Sequence, residues 1–318
     1  MDDAVVVGMV RGLGTFAVAL IALPVVAWFE GLRGSRTEAA SGTISRGPRG
    51  ALTALATAIK LLEKRAPRTR ATDRLLHAVA PVLGLIPTVA TLAVVPLTTH
   101  DPVAATLPVP LALGLLSTGA VALAGVGGGN KLALHTALRL VVLRLSVFAV
   151  VAVGALGSAL AAGSIDLTEI LSAQARPLAG AVPRWGAFVD VLGFAATVLA
   201  YAMHAQRVVR ARTVASLSEP WHGEATGPVL LGHRMFESLD LLSGAALIAV
   251  LFLGGSHVPG FGDAGAVVTV IKLALALALI VVVRNLLPVV TPGVGVRLCW
   301  TTLMPTAALG AVVAWLWS

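Results

Sequence analysis

Residues 132–162 read LALHTALRLVVLRLSVFAVVAVGALGSALAA. From Leu145 to Ala162 this stretch carries no charged side chain, a run long enough to cross the roughly 30 Å of hydrocarbon in a bilayer as a helix. In lipid every backbone amide needs an internal partner, so a single such run must be helical. Its first part carries His135, Arg139 and Arg144, charges that a greasy helix tolerates only against a partner or a polar cavity.

Working outward, the same pattern recurs. Apolar runs span 5–29, 75–97 (with Pro81 and Pro87 inside), 103–126, 185–203, 228–253, 266–283 and 298–317. With 132–162 they make eight. The chain is 57% hydrophobic and only 12% charged, with a mean hydropathy of +0.92, whereas soluble domains carry about 25% charged residues. These figures exclude an ordinary soluble enzyme. The fold expected is all-α, a polytopic membrane protein of eight transmembrane helices forming one integral membrane domain over residues 1–318. Asp2 and Asp3 precede the first run, the wrong charge for the basic start of a signal peptide, so that run is read as a retained span.

Charge sets the expected orientation. The segment 30–74 holds ten of the 23 Lys and Arg residues, among them Arg33, Arg36, Arg46, Arg49 and Lys60, against the acids Glu30, Glu38, Glu63 and Asp73. A second basic connector, 204–227, carries Arg207, Arg210 and Arg212. Cytoplasmic loops collect Lys and Arg, so both connectors are expected in the cytoplasm and both termini on the opposite side. The net charge of +8 then follows from membrane topology, and nucleic acid is not an expected partner. Arg176 and Arg184, in a loop assigned to the other side, blur the bias. Trp28, Trp185, Trp300, Trp315 and Trp317 fall at run ends, where interfacial tryptophans belong. Within the first connector, Leu52, Leu55, Ile59 and Leu62 recur at helical spacing. This predicts an amphipathic helix that lies in the headgroup layer or packs on other spans. The IDLTEIL stretch at 165–171 predicts a short surface helix.

Ionisable residues inside the runs are the candidate functional groups. Arg234, Glu237 and Asp240 stand three apart and share a helix face; they form either a protonatable cluster or a neutralised pair that fixes packing. Asp190 lies in the fifth run, and Arg139 and Arg144 are candidate partners for Asp190 or Glu237. His233 and His204 are relay candidates, because imidazole changes charge near neutral pH. Glu224 stands at the mouth of the sixth run. Arg11, Glu30 and Lys272 lie near run ends, where snorkelling accounts for them. The seven histidines and the single Cys299 are scattered without metal-ligand spacing. GVGGG at 125–129 lacks the Lys-Ser/Thr of a phosphate loop and reads as a turn.

Several motifs carry a resemblance in their order: Arg46-Gly47-Pro48, Ile59-Lys60-Leu61-Leu62, Ala80-Pro81, Asn130-Lys131-Leu132-Ala133-Leu134 with Ala137-Leu138-Arg139, His222-Gly223-Glu224-Ala225-Thr226-Gly227, Glu237, and Leu251-Phe252-Leu253-Gly254-Gly255. The chain resembles the H subunit (subunit 1) family of proton-pumping NADH:quinone oxidoreductase, respiratory complex I. That family includes the homologous membrane subunit of energy-converting NiFe hydrogenases and formate hydrogenlyase. The hydrogenase branch is matched somewhat better by Val270-Ile271-Lys272-Leu273 and Arg284-Asn285.

The resemblance implies a membrane subunit that is not catalytic alone. It would join a peripheral hydrogenase-like large subunit and an iron-sulfur subunit to antiporter-like membrane subunits, in the cell inner (plasma) membrane. Iron-sulfur clusters, with NiFe or quinone, would belong to the complex and not to this chain. Glu30, Arg33, Arg36, Arg46, Arg49, Lys60, Arg207 and Arg210 fall on the docking and quinone-chamber surface, and Glu237 and Glu224 on motif positions of the family; Asp240, Asp190 and His233 join them as proton-path candidates because they are ionisable residues inside the runs. The departures are equally informative. The family's Ser-Tyr-Glu stands here as Ser146-Val147-Phe148, and its Glu-Thr-Asn-Arg as His204-Ala205-Gln206-Arg207. Two expected carboxylates are therefore missing. A stand-alone transporter and a pure assembly anchor are the competing functions.

Overall fold

The computed structural model describes residues 49–64, 72–96, 105–179, 182–205, 225–258, 262–263, 265–288 and 290–317. The first apolar run and most of both basic connectors lie outside the described residues. So do Glu30, Arg33, Arg36, Arg46, Arg207, Arg210 and Glu224.

Helices dominate: α1 (Arg49–Glu63), α2 (Arg74–Val94), α3 (Pro108–Gly127), α4 (Lys131–Ala162), α5 (Leu167–Gln174), α6 (Gly186–Val189), α7 (Val191–His204), α8 (Gly227–Phe252), α9 (Ala266–Leu286), α10 (Pro292–Leu298) and α11 (Met304–Leu316). A π-helical turn, Cys299–Leu303, joins α10 to α11. Two small antiparallel pairs, Pro177–Ala179 with Val182–Pro183 and His257–Val258 with Gly262–Asp263, close loops. Among the described residues, six helical segments are long and apolar enough to cross a membrane: α2, α3, α4, α8, α9, and α10 through α11 taken together. The fifth predicted run is different. Its helix breaks at Asp190, leaving the single turn α6 and the shorter apolar α7.

Local sequence explains where these helices start and stop. The Asp73 carboxylate accepts from the Leu75 and Leu76 amides at 2.9 and 3.1 Å, and the Asn130 side chain accepts from Leu132 at 2.9 Å. Both satisfy amides that a helix start leaves without partners. At its far end α4 stops at Gly163, whose φ of 72° is open to glycine at little cost. Inside α2, Thr88 and Thr91 donate to the carbonyls of Gly84 and Pro87, so the helix interior keeps its polar groups bonded beside two prolines.

Helix α8 is the axis of the bundle: 89% of its apolar window is buried, against 33% for α9. A helix apolar on all sides is covered on all sides. It packs on α2, α9 and α1, while α4 packs on α3, α7 and α11. Its carbonyl end is capped by other helices. Gln174 donates to the carbonyls of Val250 and Leu251 at 2.9 and 3.1 Å. Ser158 donates to Leu251 at 3.0 Å.

Three expectations need correction. The IDLTEIL segment does form α5, but not on the surface: Leu167, Ile170 and Leu171 are fully buried, held between α4 and α8. Trp300 does not mark a helix start. The last span begins at Pro292, and the Trp300 indole donates to the Ser146 hydroxyl at 3.1 Å. Lys272 does not snorkel outward. It is buried, donates to the His257 carbonyl, and lies 4.3 Å from the centre of the Trp185 ring. Arg184, one of the two cations that blurred the charge bias, closes helix ends by donating to the carbonyls of Ala161 and Trp317. The amphipathic helix does form as α1; Leu55, Ile59 and Leu62 stay exposed while Leu61 is buried.

Candidate functional site

Helix α4 lays Arg144 about midway along the bundle, and α8 brings Asp240 to meet it. Both are about 95% buried. The guanidinium grips the carboxylate with two parallel bonds, Nη1 to Oδ2 at 2.8 Å and Nη2 to Oδ1 at 3.0 Å, the strongest geometry available to such a pair. Nη2 also donates to the Ser117 hydroxyl at 2.8 Å and Nε to Thr118 at 3.4 Å. Nη1 also lies 2.9 Å from His204 Nε2, at the end of α7. These five contacts match the five N–H groups of the side chain. Phe236 and Phe148 complete the enclosure, with ring centres 5.2 and 5.8 Å from the guanidinium carbon.

His204 is the adjustable member. Its Nε2 lies 2.9 Å from the guanidinium and 2.8 Å from Asp240 Oδ2. One ring nitrogen cannot satisfy both at once. Unprotonated, Nε2 accepts from Arg144; protonated, it donates to Asp240. The cluster therefore has two hydrogen-bonding arrangements, set by whether Nε2 carries a proton. Tyr201, buried one turn earlier on α7, lies within the field of both Asp240 and Arg144.

The structure thus redraws the candidate set. Asp240 pairs with Arg144 from another helix, not with Arg234, which is exposed. Arg144 pairs with Asp240, not with Asp190 or Glu237. Arg139 and His135 are exposed on α4, and Glu237 is half-buried on α8. His233 is fully buried. Lys60 is exposed on α1, and Arg49 begins that helix. Asp190 is also buried, but far along α7 from this cluster. Sequence reasoning missed Ser117 and Thr118. Their signal was present: two adjacent hydroxyls in the middle of an otherwise apolar span. Among the described residues, no group of His, Cys, Asp or Glu could hold a metal ion.

The fold and site define a multi-pass helical membrane protein with a charge-paired polar centre buried in its bundle. A family model described as NADH dehydrogenase matches residues 11–315, and the chain belongs to that family. It is similar to proteins described as the H subunit of NADH-quinone oxidoreductase. The one from Thermomicrobium roseum is 29% identical over 324 residues, covering 96% of this chain and 94% of the relative. Those from Wolinella succinogenes and Geobacillus kaustophilus are each 28% identical. They cover 86% and 83% of this chain, and 85% and 79% of their own lengths.

Proposed function

We propose that this chain is the membrane-embedded coupling subunit of a redox complex of the complex I or energy-converting hydrogenase type. It docks a peripheral iron-sulfur arm on its basic connectors and links electron transfer, with quinone as an acceptor in the former type, to proton movement. The observation that carries this is the family match along nearly the whole chain, residues 11–315. Antiporter-like subunits would be its neighbours within the cell inner membrane.

The buried cluster supplies the residues for such coupling. Two positions where the family resemblance expects a carboxylate and this chain lacks one, Phe148 and His204, touch Arg144. One carboxylate has become an aromatic wall and the other an imidazole, and a guanidinium holds the remaining acid. His204, with its two bonding states, is the group in this cluster able to exchange a proton without breaking the Arg144–Asp240 pair.

A second reading, an assembly anchor without proton movement, is favoured by that same pair, since a bidentate guanidinium neutralises Asp240. Two measurements separate the possibilities. Affinity purification of the tagged full chain in mild detergent is expected to bring down iron-sulfur subunits; recovery of the chain alone overturns the coupling function and leaves a transporter. In the purified complex, His204→Leu is expected to lower protons moved per electron. An unchanged ratio leaves the anchor.

A further inference from the structure

Asp190 is 1% exposed, yet only one of its oxygens is engaged. Oδ1 accepts from the Gly193 amide at 2.8 Å, while Oδ2 is buried with no hydrogen-bond partner among the described residues. No charged side chain on the described elements around it compensates. Helices α6 and α11 carry no charged residue, the basic residues of α4 lie between Lys131 and Arg144, and His204 is at the far end of α7. Arg184, just before α6, turns Nη2 to the Ala161 and Trp317 carbonyls, and its buried Nε has no hydrogen-bond partner, Asp190 included, among the described residues. Lys272, the buried cation of α9, is held instead by the His257 carbonyl and the Trp185 ring. A bare carboxylate in a lipid-surrounded bundle is costly, and such groups mark ion or proton sites.

The surroundings fit the carboxyl only because three neighbours lack a Cβ. Gly157 of α4, Gly193 of α7 and Gly310 of α11 all face the carboxyl, and a Cβ at any of the three would collide with it. One turn farther along α7, Thr197 is also buried with its hydroxyl unpartnered, and a Cβ at Gly154 would strike that hydroxyl. Thr197, Tyr201 and His204 follow one another at spacings of four and three residues, which puts them on one face of α7, and Asp190 caps the start of that helix seven residues before Thr197. That face starts at the Asp190 slot and ends in the Arg144–Asp240–His204 cluster.

We propose that Asp190 is a cation-exchange carboxyl whose ligand is a proton, and that the buried face of α7 connects it to the His204 cluster. A proton released by His204 Nε2 passes by way of the Tyr201 and Thr197 hydroxyls, each of which accepts one proton and gives one up, and bonds to Asp190 Oδ2. The steps along the helix are about 5, 6 and 10 Å at 1.5 Å per residue, each longer than a single hydrogen bond, so transfer requires water to enter between these groups. This deepens the coupling function proposed above and rests on it for the transport direction alone; the carboxyl site stands independently.

Two experiments separate those parts. In the first, infrared difference spectra of the full chain in nanodiscs are recorded over a pH step. Wild type is expected to show a protonated-carboxyl C=O band that Asp190→Asn removes, with the amide still able to accept from Gly193. A band that gives way to a carboxylate signal when Na+ is raised at constant pH assigns the same slot to an alkali cation as well. Identical wild-type and variant spectra, insensitive to Na+, overturn the site.

In the second, Asp190→Asn in the assembled complex, reconstituted in vesicles, is expected to cut proton movement roughly tenfold or more while electron transfer is retained. Unchanged proton movement overturns the α7 route. Failure of the chain to assemble with redox subunits overturns the coupling function without touching the spectroscopic result.

Discussion

Two aspartates lie almost equally deep in this protein and are treated in opposite ways. Asp240 is gripped by a bidentate guanidinium, backed by two hydroxyls, an imidazole and two aromatic rings. Asp190 has one backbone amide and three glycines. The difference teaches that burial alone does not assign a role. The first acid is anchored by charge and can change state only through its neighbour His204. The second is given space and no counter-charge, as an exchanging group requires.

The contrast can be broken most severely at its charged end. Arg144→Met is expected to leave Asp240 buried and unpaired, costing about 3–5 kcal/mol of stability. Adding Asp240→Leu should recover most of that loss. Thermal unfolding in detergent checks both, and an unperturbed single variant would show that the pair does not hold α4 to α8. At the other aspartate, Gly310→Val is expected to cost about 1–3 kcal/mol by overpacking; tolerance of valine there would mean the slot has slack that the Cβ geometry denies.

A neutral contrast comes next. Gln174→Ala removes the donor to Val250 and Leu251 and the acceptor of the Gly186 amide, at about 1–3 kcal/mol. If instead it matches Arg144→Met, the middle and the carbonyl end of α8 are held with equal strength and the comparison loses its meaning. Smallest is Asp73→Ala, which deletes the cap of α2 at about 1 kcal/mol. It should shift unfolding slightly and leave both aspartate sites untouched; a large loss would implicate that end of the bundle in the buried network.

Much of the fold was legible because hydrocarbon imposes a simple rule. Runs such as 132–162 had one solution, and their ends fell within a few residues of the caps at Asn130 and Gly163. The fifth run was read correctly as apolar, but its break at Asp190 was not foreseen. The break depends on a side chain turning back to the Gly193 amide, and no periodicity encodes that. Asp240, Asp190 and His204 were all identifiable as buried ionisable groups. Their partners were not: the helical spacing of Arg234, Glu237 and Asp240 pointed along α8, whereas the real partner of Asp240 comes from α4. Lys272 misled for a similar reason, since position near a span end suggested snorkelling, and only the Trp185 ring and the His257 carbonyl explain why it stays inside.

By itself, the sequence determined that this chain is a stack of membrane helices and that its few internal charges must be accounted for, because lipid offers neither hydrogen bonds nor counter-ions. It also carried the order of motifs that relates the chain to its family. The tertiary structure alone decided which charge meets which. Arg144 and Asp240 are 96 positions apart, and their contact depends on the rotation and depth at which α4 packs beside α8. The same packing brings Gly157, Gly193 and Gly310 around one carboxyl, a coincidence of three helices that no single stretch of residues contains.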